Sequence, residues 1–230
     1  MHNEHNSPIS RRDIHADTTK RHIEEITREF KNGFEFLKKY PKSVTIYGSA
    51  RAKQDSKEYK LAEQLGHRIV KELKYAVVTG GGPGIMEAAH KGAREAGGHA
   101  VALGISLPHE MNMSHYANDR MQFTYFFSRK TMLTFAAESY IFFPGGFGTF
   151  DELFSTLTLI QTRKVPSVPV ILIGSHFWND LANFIDEKML QQQEAIADYD
   201  RNIFKITDNI DHVIDAIRTA PVSLWWRNIN

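Results

Sequence analysis

The stretch IFFPGGFGTFDE, residues 141–152, is the part of this 230-residue chain whose pattern decides the fold. Its three leading apolar residues are typical of the end of a buried strand. Pro144 ends that strand because proline cannot donate to a sheet ladder. Three glycines in the next four positions allow a sharp turn and a close approach of a ligand to the backbone. A helix is predicted to begin at Thr149, with Asp151 and Glu152 in its first turn. Strand, loop and helix N-terminus together predict an anion site.

Strand and helix patterns alternate along the rest of the chain, and the connections are too long for hairpins. That alternation is typical of an α/β fold with a doubly wound, Rossmann-like, largely parallel sheet and helices on both faces. Strands are predicted at 43–47, 75–79, 99–105, 123–125, 141–143, 168–173 and 203–206. Helices are predicted at 59–73, 85–96, 149–160 and 178–190, from a cap at Ser128, and from a cap at Asp208.

No break in composition divides the chain, so we expect a single domain. Residues 41–220 are predicted to form the Rossmann-like nucleotide-binding catalytic domain. Residues 1–12 are predicted to be a disordered lead-in, 13–40 an N-terminal amphipathic helix, and 221–230 a C-terminal tail.

Bulk composition excludes several classes of protein. Hydrophobic residues make up 42% of the chain and charged residues 24%, as in soluble globular proteins. A net charge of +1 gives no reason to expect nucleic acid or a membrane surface as partner. The absence of cysteine excludes disulfides, thiolate metal sites and a cysteine nucleophile. No apolar run is long enough to span a bilayer and no signal peptide is visible, so we expect a cytoplasmic protein.

Three glycine-bearing loops, at 48–49, 80–84 and 145–148, follow predicted strands. Ligands of doubly wound sheets bind beyond the carboxyl ends of the strands, so these loops are expected at one edge, around a nucleotide or sugar phosphate. The dinucleotide fingerprint fails because Glu87 and Asp151 stand where its third glycine belongs, and no Gly-Lys-Ser/Thr of a P-loop is present. No His, Asp or Glu cluster has metal-ligand spacing, so we expect no metal and no cofactor.

The segment PGGFGTFDE, residues 144–152, resembles the PGGxGTxxE motif of the LONELY GUY family, whose members are cytokinin-activating nucleoside 5′-monophosphate phosphoribohydrolases. YGSA at 47–50 resembles the first-strand loop of that family, usually Cys-Gly-Ser-Ser. TGGGPGIM at 79–86 resembles its second glycine loop, and SRK at 128–130 its Arg-Lys stretch. The resemblance extends from about residue 43 to residue 190.

This resemblance implies cleavage of the N-glycosidic bond of AMP or a cytokinin riboside 5′-monophosphate, giving free base and ribose 5-phosphate. The essential residues of the family fall on Arg129 and Glu152, which become the catalytic candidates. It also implies a homodimer or higher homo-oligomer. The candidate phosphate- and substrate-binding residues are Gly145, Gly146, Gly148, Thr149, Gly81, Gly82, Ser49 and Lys130.

Two departures from the family pattern concern the choice of base. Ala50 replaces the second serine, and Phe126, Phe127 and Ser128 precede Arg129 where plant-like members have Met-His-Glu. The reaction type itself agrees with the residues, because glycosidic cleavage passes through a positively charged sugar that a carboxylate can stabilise.

Alternative interpretations remain open at this point. Glu152 could serve only as a partner of the helix dipole, and Arg129 or Lys130 could be a surface residue. The scaffold also resembles molybdenum-cofactor carrier proteins, which bind a phosphorylated ligand without turnover; the presence of both Arg129 and Glu152 favours the enzyme. The older lysine decarboxylase designation is not favoured, since no lysine is singled out as a Schiff base for pyridoxal phosphate.

Overall fold

A computed structural model describes residues 16–106 and 114–221, and its centre is one seven-stranded sheet in the order β4-β3-β2-β1-β5-β6-β7. All neighbouring strands are parallel, which confirms the doubly wound class. The strands are β1 (Ser43–Tyr47), β2 (Ala76–Thr79), β3 (Ala100–Ile105), β4 (Asp119–Phe123), β5 (Tyr140–Phe142), β6 (Val170–Leu172) and β7 (Phe204–Ile206). The predicted lead-in and, apart from residue 221, the predicted tail lie outside the described residues.

Helices cover both faces of the sheet, as the sequence predicts. They are α1 (Ala16–Leu37), α2 (Lys57–Arg68), α3 (Ile85–Glu95), α4 (Phe126–Phe135), α5 (Phe147–Gln161), α6 (Ser175–Phe184) and α7 (Ile210–Thr219). π-Helical turns extend α2 to Leu73 and α6 to Gln192, and a short 3-10 helix at Asp198–Ile203 precedes β7. No helix in the described ranges is long and apolar enough to cross a membrane. The cytoplasmic location stays a prediction.

Two separate apolar cores hold these layers together. Helices α1, α4, α5 and α6 pack on one face, where Leu37, Leu133 and Trp178 are at most 1% exposed. Helices α2, α3 and α7 pack on the other face through residues such as Leu65 and Val213, both fully buried. Truncating a leucine of this kind to alanine costs roughly 2–5 kcal/mol of unfolding free energy. Both helix layers therefore contribute strongly to the stability of the sheet.

The strand order reverses between β1 and β5. From β1 the chain proceeds outward through β2, β3 and β4, and then returns to build β5, β6 and β7 on the other side. Thr45 pairs with Tyr140 and Tyr47 with Phe142, so both strands end at the same level. The loops that follow β1 and β5 therefore face each other at the switch point, where ligands of such folds bind.

Two predicted boundaries were wrong because distant residues set them. The strand predicted at 123–125 is instead β4 at Asp119–Phe123, a polar edge strand paired only with β3. The helix predicted to be capped by Ser128 begins at Phe126, and the N–H of Thr124 just before it donates to a Glu29 carboxylate oxygen of α1 at 2.5 Å. Neither partner can be inferred from local sequence.

Two predicted helix starts were also wrong. Helix α5 begins at Phe147 rather than at Thr149, so the acidic residues 151–152 fall beyond its first turn. Asp208 does not cap α7; Asn209 does, accepting from the N–H of Asp211 at 2.8 Å. Asp208 accepts instead from the N–H groups that begin α6, at Gly174 (2.8 Å) and Ser175 (2.9 Å).

Candidate active site

Ser49 ties together the three glycine-bearing loops at the carboxyl edge of the sheet. Its N–H donates to the carbonyl of Pro144 at 3.0 Å, and its carbonyl accepts from the N–H of Ile85 at 3.1 Å. Gly84 has φ of +68°, and a Cβ there would overlap the Ser49 carbonyl oxygen, so only glycine fits both the conformation and the contact. The expectation that the three loops share one edge is confirmed.

A cavity of about 610 Å³ opens between these loops, which is in the size range of small-molecule sites. A cavity of similar volume, about 620 Å³, lies at the far end of α5, beside residues 163–167. Volume therefore does not single out the site; the chemistry of the lining does. The lining comprises Tyr47, Gly48, Ser49, Ala50, Arg51, Gly80, Met86, Phe126, Arg129, Leu133, Gly146, Phe147, Gly148, Thr149, Asp151 and Glu152.

The N-terminus of α5 forms one wall of this cavity. The N–H groups of Thr149 and Phe150 both bond to the carbonyl of Gly146, at 2.9 and 3.1 Å. Within the described residues, the N–H groups of Gly146, Phe147 and Gly148 donate to no acceptor. Such free amides at the positive end of a helix dipole are suited to bind an anion. The structure thus brings Gly146, Gly148 and Thr149 together as predicted.

Hydrogen bonds to buried side chains hold the second glycine loop in place. The N–H of Gly81 donates to Thr79 Oγ1 at 2.9 Å, and that oxygen lies 3.1 Å from His90 Nε2. Burial lowers the pKa of His90 to about 4, so its imidazole is neutral at pH 7. Gly81 and Gly82, both predicted to bind substrate, are not among the lining residues.

Two further candidates lie just outside the cavity wall. Lys130 Nζ pairs with the Asp151 carboxylate at 2.5 Å and also donates to Ser155 Oγ at 3.0 Å. The ammonium group of Lys130 on α4 is therefore already paired with side chains of α5. Gly145 packs against the Thr149 side chain, where a Cβ would overlap Oγ1. Their predicted roles in substrate binding stay predictions.

Arg129 reaches the cavity from the first turns of α4. Its Nε donates to the carbonyl of Leu103 on β3 at 2.7 Å, which fixes the direction of the guanidinium. A Cβ at Gly80 would overlap Arg129 Nη2, so the guanidinium lies directly against the backbone of the second loop. Burial lowers the pKa of Arg129, while the negative charge of Glu152 opposes that shift.

Glu152 projects from α5 into the same cavity and is only 9% exposed. No N–H or O–H group in the described part of the chain donates a hydrogen bond to its carboxylate. Burial raises the pKa of Glu152 to about 7; Lys130 and Arg129 oppose the shift and Asp151 adds to it. Near neutral pH the carboxyl group can therefore both accept and release a proton, as acid–base catalysis requires.

Several lining residues were missed from the sequence. Tyr47 is the last residue of β1, and strand ends at a switch point are where ligand contacts concentrate, so topology would have indicated it. Arg51 and Phe147 carried no such signal; the Phe147 side chain is 97% exposed beside the free amides. Among residues 16–106 and 114–221, no group of three or more His, Asp or Glu side chains could hold a metal ion.

We predict that Glu152→Gln stabilises the protein at alkaline pH. The folded-state pKa is about 7 against a usual value of 4.5, so the unfolded chain releases this proton first and the unfolding free energy falls as pH rises from about 4.5 to 7. Glutamine removes that cost, and the gain in unfolding free energy should be about 3 kcal/mol at pH 8 and only about 1 kcal/mol at pH 5. Urea denaturation at both pH values measures it, with Glu187→Gln, an exposed glutamate, as control. Equal effects at both pH values would contradict the assignment.

The chain is similar in sequence to proteins of one known family. Residues 86–217 match the family model described as possible lysine decarboxylase. The cytokinin riboside 5′-monophosphate phosphoribohydrolase of Rhodococcoides fascians is 26% identical over 187 residues, which are 78% of this chain and 90% of that protein. An Arabidopsis thaliana enzyme of the same name is 30% identical over 130 residues, 55% of this chain and 60% of its own.

A solved structure shares the fold at lower identity. The molybdenum cofactor carrier protein of Chlamydomonas reinhardtii superposes with a TM-score of 0.58 at 20% identity, covering 78% of this chain and 97% of its own. At that identity the similarity concerns the fold alone. The family match, by contrast, spans more than half of the 230 residues and includes Arg129, the glycine loop and Glu152. The chain therefore belongs to the LONELY GUY family, whose family model carries the description possible lysine decarboxylase.

Proposed function

We propose that this protein hydrolyses the N-glycosidic bond of a nucleoside 5′-monophosphate, releasing the free base and ribose 5-phosphate. One observation carries the proposal: a single cavity contains a helix N-terminus and, one turn further along, a buried carboxylate, and within the described chain the amides have no acceptor and the carboxylate has no donor. Gly148 and Glu152 are separated by about 6 Å along the helix axis, a span that a ribose can bridge. The amides would bind the phosphate while Glu152 faces the sugar.

The reaction fits the properties of these groups. As the bond between C1′ and the base nitrogen breaks, its electron pair leaves with the base and positive charge develops on the ribose. The ionised Glu152 carboxylate stabilises that charge and accepts a proton from the water that attacks C1′. The base nitrogen takes up a proton as it leaves. Arg129 supplies a fixed positive charge for the phosphate or for Glu152.

The names of the relatives and the lining of the cavity support a proposal for the substrate class. The proteins from Rhodococcoides fascians and Arabidopsis thaliana are named for cytokinin riboside 5′-monophosphates. We propose AMP or an N6-substituted AMP for this chain. Ala50 is the first departure noted in the sequence and Phe126 belongs to the second. Both line the cavity and are the positions from which base preference would be set.

Two other activities are less well supported. A carrier of a phosphorylated cofactor needs the anion-binding amides but has no use for a buried carboxyl group whose pKa is about 7. A pyridoxal-dependent decarboxylase needs a lysine facing the ligand. No lysine is found among the described lining residues, and the nearby Lys130 is paired with Asp151.

We predict that the protein releases adenine from AMP and that kcat/KM rises with pH to a plateau above about pH 8. Below pH 7 the rate should fall about tenfold per pH unit, because the ionised form of a carboxyl group with pKa near 7 is required. Chromatography of free base between pH 5 and 9 measures both the activity and its profile.

Substitution of Glu152 separates catalysis from binding. Glu152→Ala should lose at least about 10²-fold in kcat while AMP affinity changes less than about tenfold, since binding rests on phosphate contacts. Glu187→Ala, at an exposed position, is the control. Tight AMP binding by the wild type without base release, for AMP and its N6-substituted analogues alike, would favour the carrier and refute the hydrolase.

We predict that Gly80→Ala impairs catalysis more than folding. The φ angle of Gly80 is not in the left-handed region, so alanine is conformationally allowed, but its Cβ would displace the Arg129 guanidinium. A displacement of about 1 Å can cost about 10²-fold in kcat/KM. The thermal unfolding midpoint should change little, because the end of a flexible side chain yields to the new methyl group. A large loss of stability with unchanged activity would contradict this role for Gly80.

We also propose that the protein is a homodimer that uses the outer face of α5. Phe147 is 97% exposed, and beside it Phe150, Phe154 and Leu159 line an apolar groove. Exposed apolar surface of this kind is typical of protein interfaces. Light scattering should give twice the chain mass, and Phe154→Asp should give the monomer mass. A monomeric wild type would contradict the proposal.

A further inference from the structure

Tyr47 has a buried hydroxyl group without a partner at the wall of the proposed active site. The residue ends β1, is 6% exposed and lines the cavity. Its ring stacks on Phe142 of β5, with centroids 4.7 Å apart and planes 11° from parallel. The hydroxyl oxygen neither donates nor accepts a hydrogen bond within the described chain. Burying an unsatisfied hydroxyl destabilises a fold, so this oxygen calls for an explanation.

The other buried tyrosines of the described chain are all satisfied. The Tyr40 hydroxyl donates to Asp119 at 2.5 Å, that of Tyr59 to Glu87 at 3.0 Å, and that of Tyr140 to the carbonyl of Thr134 at 2.7 Å. The stacked ring of Tyr47 would pack equally well as phenylalanine. Packing therefore does not explain the presence of the hydroxyl. The hydroxyl is available to a partner that it does not contact in this structure.

Among the described residues, the charged groups around the cavity leave one acceptor for this hydroxyl. Arg129 and Lys130 of α4 and Arg51 of the first loop can only donate. Asp151 is exposed and paired with Lys130, and the hydroxyl of Tyr140 already donates to Thr134. The Glu152 carboxylate shares the cavity and accepts no hydrogen bond from residues 16–106 or 114–221. Burial raises the pKa of Tyr47, and the charge of Glu152 adds to the shift, so its proton is retained at neutral pH.

We propose that Tyr47 is a positioning residue whose hydroxyl donates a hydrogen bond to the ionised Glu152 carboxylate, holding one oxygen so that the other faces C1′ of the bound nucleotide. The consequence for the reaction rests on the proposed hydrolase function; the pairing itself does not. A hydrogen bond to the charged form favours that form. Tyr47 thus counteracts part of the effect of burial on Glu152 and increases the ionised fraction near neutral pH.

The test compares Tyr47→Phe with a matched control, Tyr140→Phe, on the neighbouring strand. ¹³C NMR of glutamate carboxyl carbons, with the Glu152 signal assigned by Glu152→Gln, follows the titration of that group directly. In Tyr47→Phe the pKa of Glu152 should rise by about one unit. At pH 5, where Glu152 is protonated and the proposed pairing with the carboxylate is absent, the thermal midpoint should stay equal or increase, because an unsatisfied hydroxyl is removed. Tyr140→Phe should lower the midpoint, because it loses an existing hydrogen bond, and leave the titration of Glu152 unchanged.

The Tyr47–Glu152 pairing and the hydrolase function can fail independently in these experiments. An unchanged Glu152 titration in Tyr47→Phe, or a midpoint at pH 5 that falls as far as in Tyr140→Phe, would overturn the pairing. If AMP is hydrolysed, the acid limb of kcat/KM should move to higher pH with the NMR titration, and an acid limb that stays in place would overturn the positioning role. If no base is released from any nucleotide, the hydrolase proposal fails while the NMR titration still decides the pairing.

Discussion

The parallel pairing of β1 with β5 is the constraint on which the site depends. These strands are far apart in sequence, but their pairing puts the ends of both at one level. Ser49 after β1 then bonds to Pro144 after β5 and to Ile85 at the start of α3, so three loops become one rigid rim. Loss of that pairing would separate the free amides at the start of α5 from the rest of the cavity.

The candidate site contains two buried polar groups whose placement lowers the free energy of unfolding. Glu152 is held where burial raises its pKa to about 7, and within the described residues nothing donates to its carboxylate. Nearby, the Tyr47 hydroxyl is buried and has no partner in the part of the chain that the structure describes. Both features destabilise the fold in the absence of ligand. Both are explained if a bound ligand, or the ionisation of Glu152, supplies the missing hydrogen-bond partner. Functional sites commonly concentrate such unfavourable features, which the rest of the structure must offset.

Periodicity and loop chemistry were sufficient to predict the fold. Apolar strands such as β2 and β5, separated by helical spacing, allow few arrangements other than a parallel sheet, and glycines after strands indicate its ligand edge. Polar elements were less predictable. Strand β4 consists of DRMQF, whose mixed character hides an edge strand, and Asp208 caps a helix that begins more than thirty residues earlier. These features depend on long-range partners that no local pattern contains.

For the candidate site, the sequence indicated the candidate residues but not their surroundings. Glu152 and Arg129 followed from family resemblance, whereas their setting required coordinates: the carbonyl of Leu103 that directs Arg129, and the ion pair that draws Lys130 away from the cavity. Tyr47 was missed because the side of the sheet on which a strand residue lies depends on pairing and register.

A structure of the Glu152→Gln variant with AMP bound tests the central claim most directly. The phosphate oxygens should accept hydrogen bonds from the N–H groups of Gly146, Phe147 and Gly148, and C1′ of the ribose should face the side chain at position 152. A phosphate bound instead at the 80–84 loop, or a ribose directed away from position 152, would contradict this account.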